Sequence, residues 1–150
     1  MSETDPASPS TAPAQETRRE RLRFSDFTFR RTSDGRCSAD VELEWVDGVV
    51  VHGSATGQSS PTVDLRVAAE AALRAIESFA DGALSFELIG AKAIKAFDAT
   101  VIIVSVANRR AEGPRRLLGA YLAEEDPVRG AVLAVLSATN RVLGNFIVLR

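Results

Sequence analysis

The segment Ala39–Trp45, ADVELEW, alternates apolar and charged residues without a break. Val41, Leu43 and Trp45 fall on one side and Asp40, Glu42 and Glu44 on the other, as in a strand with one buried face. Upstream, FSDFTFRR (Phe24–Arg31) is rich in Phe and Thr and reads as a first strand, closed by the turn chemistry of SDGRC. Val46-Asp47-Gly48 is a hairpin turn, and VVVHGSA (Val49–Ala55) returns as a third strand. The period then changes. From about Pro61 to Phe79, Leu65, Ala68, Ala69, Ala72, Leu73, Ile76 and Phe79 recur at helical spacing, an apolar stripe along a helix that Asp81-Gly82 ends.

The second half repeats this order. LSFELIGAKAIKAF (Leu84–Phe97) is strand-like at first. TVIIVSVA (Thr100–Ala107) is a near-continuous β-branched run, expected of a central strand. NRRAEGPRR (Asn108–Arg116) is a loop or loose hairpin, and LLGAYLAEED (Leu117–Asp126) is another strand. Pro127 opens a second helix, expected to run to about Leu143, with Gly144-Asn145 as its stop and FIVLR as a short apolar tail.

The fold predicted is therefore α+β, a duplicated βββα unit in which each antiparallel sheet is backed by one helix. The pseudo-repeats span about 24–80 and 84–144 of a single domain, 21–150. One offset pairs Gly53 with Gly119, Ser60 with Asp126, Pro61 with Pro127, Ala68 with Ala134 and Ala72 with Ala138. A shorter one, by six residues, pairs Phe24 with Leu84, Ser25 with Ser85, Phe29 with Ile89 and Val41 with Val101, which places a six-residue difference in the second hairpin loop.

Each helix start has the same local chemistry. Ser60 and Asp126 are N-cap candidates, and Pro61 and Pro127 occupy the first helical position, where a missing N–H costs nothing. Folding alone explains these four residues. The first turn of a helix also attracts anions. The segment Gly57, Gln58, Ser59 and Ser60 is small, polar and open, while Glu124, Glu125 and Asp126 are acidic and suit an ammonium group. Brought together in the fold or across a dimer, the two would complement a zwitterion such as an amino acid. No Gly-Lys-Ser/Thr follows the glycine, so the segment is not a P-loop.

Composition narrows the functional classes. Apolar residues make up 45% and charged residues 25%, as in a globular domain. A net charge of −2 argues against a strongly basic nucleic-acid binder, and no aromatic-basic stacking motif is present. Residues 1–17 are mostly Ser, Thr, Pro, Ala and acid, and the tail 1–20 is expected to be disordered. They lead into the basic run Arg18–Arg23, read as a solvated face or as a patch for RNA, DNA or an acidic partner. No apolar run suits a membrane span. Cys37 and His52 are the only residues of their kinds, so no disulfide, no metal site and no catalytic residue is assigned. His52, like Trp45, is expected to be structural. A cytoplasmic, reducing location follows from the single thiol.

Two short motifs carry a family resemblance. GQSSPTVDLRVAAEAALRAI, through Gly57, Pro61, Val63 and Asp64, and EEDPVRGAVLAVLSATNRVL, through Ala138-Thr139-Asn140, resemble the C-terminal regulatory (LeuA-dimer-like) domain of 2-isopropylmalate synthase, standing free of its catalytic barrel. Ser59-Ser60 replace that family's second glycine. The resemblance implies the duplicated βββα fold, leucine feedback binding and dimer contacts. The function expected is a non-catalytic module that binds a small metabolite, an amino acid or carboxylate, and forms a homodimer, with leftover apolar surface such as Phe146, Ile147 and Val148 at the contact. The alternatives are a protein–protein interaction domain without ligand and, third, a small enzyme of unknown type.

Overall fold

The computed structural model describes residues 22–109 and 115–149, without the side chains of residues 141 and 143–149. The predicted tail, residues 18–21 of the basic run, most of the Asn108–Arg116 loop and the Phe146–Val148 side chains lie outside what is described. The element order is β1 (Arg23–Arg31), β2 (Arg36–Glu44), β3 (Val50–Gln58), α1 (Pro61–Ala80), β4 (Phe86–Ala96), β5 (Ala99–Asn108), β6 (Arg116–Ala123) and α2 (Pro127–Leu149). Two antiparallel three-stranded sheets result, sheet A in the order β1-β2-β3 and sheet B in the order β4-β5-β6. The duplicated βββα fold is thus present.

Alternation decides which face each strand buries. In β2, Cys37, Ala39, Val41 and Leu43 are buried, and in β5, Ile102, Val104 and Val106. α1 packs on β2 and β3 of its own sheet, on β4 of the other sheet and on α2. It is accordingly buried nearly all round, and Ala68, Ala69, Ala71, Ala72 and Ala75 are inaccessible. α2 packs on β5 and β6.

Both helices start as expected. Ser60 Oγ accepts the Val63 N–H at 3.2 Å, and Asp126 Oδ1 accepts the N–H groups of Val128 and Arg129 at 3.1 and 3.2 Å. α1 ends at Asp81, whose φ of 52° is left-handed. α2 does not stop at Gly144-Asn145 but continues to Leu149. A helical glycine costs only about 1 kcal/mol, and the apolar run that follows it is no obstacle to continuing the helix.

The register corrects how the halves align. Val41 pairs with Gly53, and Val104 with Gly119, so Val104 and not Val101 is the counterpart of Val41. Both first strands carry a bulge, between Phe24 and Asp26 and between Leu88 and Gly90, so Phe24 matches Leu88 rather than Leu84. Five residues separate Glu44 from its partner Val50, and eight separate Ala107 from Arg116, a difference of three and not six.

The helices shift as well. A Cβ on Gly53 would stand 2.1 Å from the Ala71 carbonyl oxygen, and one on Gly119 would stand 2.1 Å from that of Ala134. Each helix also reaches the bulged strand of the other half. Arg66 donates to the Ile89 carbonyl at 3.4 Å, and the Arg129 guanidinium lies 4.6 Å over the Phe24 ring. Ala71 thus matches Ala134, and Arg66 matches Arg129. By that measure Pro127 stands where Asp64 does, and α2 begins one turn later than α1.

Because helix backbone lies directly on these two glycines, Gly53→Ala and Gly119→Ala should each cost about 3 kcal/mol or more. An added carbon at Gly90 meets nothing within 4 Å, so Gly90→Ala should stay within about 0.5 kcal/mol of the parent. Urea unfolding midpoints of the three variants check this.

Candidate functional site

The two helix starts share a cavity of about 1110 Å³. From the first half it takes Arg31 at the end of β1, Ser59 to Thr62, Asp64 and Leu65. From the second it takes Gly90 to Ala93 on β4, Ile103 and Ser105 on β5, and Asp126 to Val128. Register puts Ala91 on the helix-facing side of sheet B with Val104, and Gly90 and Lys92 on the opposite side with Ser105 and Ile103. The cavity therefore curls round β4, an edge strand.

Asp64 anchors its first-half wall. Only 4% of it is exposed. Its Oδ2 accepts from Arg31 Nη2 at 2.8 Å, and its Oδ1 accepts from Ser59 Oγ at 2.8 Å. The buried Cys37 thiol donates a further hydrogen bond. Burial acts to raise the Asp64 value, but the bonds from Arg31, Ser59 and Cys37 outweigh it, so the carboxyl sits below the ordinary aspartate range. Burial and the Asp64 charge push the Cys37 thiol up, which keeps it a donor.

Asp64 in turn fixes Arg31. That guanidinium also lies 5.0 Å over the Phe29 ring, and 59% of the side chain remains exposed. One nitrogen is committed to Asp64, so further N–H donors stay available to a ligand. Lys92 is the second cation of the wall. Asp126 is the second acid, but its Oδ1 already caps α2. The rest of the lining is largely apolar: Pro61, Leu65, Ala91, Ala93, Ile103, Pro127 and Val128. Two held or nearby cations beside an apolar wall suit a small anion with an apolar body.

Of the residues singled out in the sequence, Ser59, Ser60 and Asp126 line this cavity, while Gly57, Gln58, Glu124 and Glu125 do not. A Cβ at Gly57 would press on the Val67 and Val63 side chains at 2.9 and 3.0 Å, so packing explains that glycine. Gln58 ends β3 and pairs with Arg36. Glu124 and Glu125 line a separate cavity of about 790 Å³ between β6 and α2, with Arg129 and Tyr121. The two starts thus meet, but through Ser59-Ser60 and Asp126 alone.

Arg31, Asp64 and Lys92 were missed as site residues. Asp64 carried a readable signal: it lies four residues before Ala68, so it falls on the apolar stripe of α1. His52 lies exposed on sheet A, its Nδ1 3.9 Å from Glu42 Oε1 and outside the cavity lining. Trp45 is partly buried, with its ring 5.5 Å from that of Phe79. Among the described residues no group of His, Cys, Asp and Glu is placed to hold a metal ion, and no helix is long and apolar enough to cross a membrane. No protein-family model and no characterised protein matches this sequence.

The Asp64 carboxyl has a lower value in the folded chain than the roughly 3.9 of an unfolded aspartate. Its stabilisation is therefore complete above about pH 4 and is lost as the pH falls through the folded value. Asp64→Asn should cost about 2 kcal/mol at pH 7, with the gap to the parent closing in acid. Chemical denaturation from pH 7 to pH 3 measures both.

Proposed function

We propose that the protein is a non-catalytic module that binds a small metabolite, an amino acid or simple carboxylate, in the cavity between its helix starts. Such a module resembles the amino-acid-sensing regulatory domain of 2-isopropylmalate synthase. One observation carries this reading: Arg31, gripped by buried Asp64 and by Phe29, keeps free donors on a cavity that both halves build. An ion pair immobilised in this way is preorganised, so a carboxylate docking on Arg31 has little side-chain order left to impose. Lys92 adds charge, and the apolar lining takes the body of the ligand. A buried lone thiol fits a reducing, cytoplasmic setting.

Oligomerisation belongs to the same proposal, as a homodimer. The alternative, an interaction domain without ligand, is favoured by a different observation: Leu118 and Leu122 on β6 are exposed.

A ligand present at 100 times its Kd adds about 2.7 kcal/mol. For a chain of this length that should raise the melting temperature by roughly 5–10 °C. A panel of amino acids, short branched carboxylates and matched uncharged amides, scanned by differential scanning fluorimetry, should give such shifts for carboxylates only. Ala93→Trp, which fills the cavity from an exposed position, should abolish the shift without lowering the unliganded melting point. No response to any carboxylate would leave the interaction reading in its place.

A further inference from the structure

The outward faces of the two sheets differ in kind. On β2 the outward residues are Ser38, Asp40, Glu42 and Glu44, and the sheet A face is polar and acidic throughout its centre. On β5 the corresponding outward residues are Val101, Ile103, Ser105 and Ala107. Beside them Leu118 is 71% exposed, and Leu122, Ile89 and Ile94 also face solvent. The duplication makes sheet A an internal control, showing how a solvated sheet is written in this chain.

We infer that the outward face of sheet B is where a second copy of this chain docks, the two sheets stacking about a two-fold axis that runs along β5. The register supports this row by row. Such an axis lays each β4 residue over the β6 residue of the same row in the other copy. Glu87, which holds Arg109 of its own chain at 2.7 Å, shares a row with Arg116 through Ala107, so its second oxygen meets an opposite charge. Gly90 and Leu118 share the next through Ser105, so the exposed leucine meets a position with nothing around its missing side chain. Lys92 lies over Ala120, long over short, and Ile94 over Leu122. On the axis itself Val101, Ile103 and Ser105 each meet their own copy. The same operation on sheet A would set Asp40, Glu42 and Glu44 against themselves, like charge on like charge.

A second feature points the same way. Phe97 is fully exposed at the β4–β5 turn, with φ of 53° beside Asp98 at 58°. Two-residue turns of this hand ordinarily take Asn or Gly, so a phenylalanine there is held at a conformational cost. The axis brings both Phe97 rings to one end of the dimer, next to Ile94 and Leu122. Three strands and four rows span roughly 14 by 27 Å. That is about 380 Å² a side, below the standard interface range even with the Phe97 tips, so the dimer is a weak, reversible one. Gly90, Lys92, Ile103 and Ser105 also border the cavity, so the second copy would close that side of it.

Sedimentation velocity of the full chain across micromolar concentrations tests the inference. The mass should rise from 16.0 kDa toward twice that value. Leu118→Asp should hold the chain at monomer mass with an unchanged circular dichroism spectrum. Glu87→Arg should weaken association at least tenfold, and adding Arg116→Glu should restore it. In a Cys37→Ser background, Ser105→Cys should be joined into a covalent dimer by a short bismaleimide that spans the roughly 10 Å between stacked sheets, while Ser54→Cys on sheet A should not. A monomer at every concentration overturns the inference, and so does a dimer indifferent to Leu118→Asp. The ligand reading stands apart: a monomer that binds carboxylates removes only the dimer, and a dimer that binds none removes only the ligand.

Discussion

The architecture depends on helix backbone lying in contact with strand backbone. At Gly53 and at Gly119 there is no room for a single carbon between β3 and α1 or between β6 and α2. Everything else adjusts to that approach. Where the helices cross these glycines they carry alanine, Ala71 and Ala75 or Ala134 and Ala138, because larger residues would hold the layers apart. Close layers in turn bring the helices together and leave α1 buried against both sheets. The first turns of both helices then open on one space, and the cavity is what remains between them.

Duplication supplied two copies of this unit, and their differences say what each half does. The element order and the inward faces agree. The helix starts differ by one turn, and this has a chemical consequence. Asp126 caps α2 directly, whereas in α1 the cap is Ser60 and the acid, Asp64, lies inside the first turn. From there Asp64 can reach back to Arg31, Ser59 and Cys37. A carboxylate buried in this way would cost several kcal/mol unpaired, and the three donors offset that cost. One half thus carries an ion pair aimed at the shared cavity, and the other carries an ordinary cap.

Local periodicity made most of the fold readable. Alternation in ADVELEW and the alanine-rich stripe after Pro61 each have one structural solution, and Ser-Pro and Asp-Pro mark helix starts through local bonds. What was not readable depended on contacts between distant segments. Pairing Pro61 with Pro127 is the natural alignment of the letters, but the glycine contacts set the helices three residues apart. Gly144-Asn145 has the chemistry of a stop, yet a long apolar helix passes through it. The site was half legible for the same reason. Ser59, Ser60 and Asp126 reach the cavity because they stand at helix starts, and Arg31 could not be read from the letters, because only β1 folding beside α1 makes it a neighbour of Asp64. Glu124 and Glu125 line a different groove because one turn of helix offset aims them there.

The functional account rests on Arg31 as a preorganised anion ligand at the meeting point of the two halves. Its most direct test is a backbone amide map by nuclear magnetic resonance during titration with a small branched carboxylate. The account predicts saturable shifts confined to Arg31, Ser59–Leu65, Gly90–Ala93 and Asp126–Val128, absent with the matching amide. Saturable shifts centred elsewhere, or equal responses to acid and amide, would contradict it.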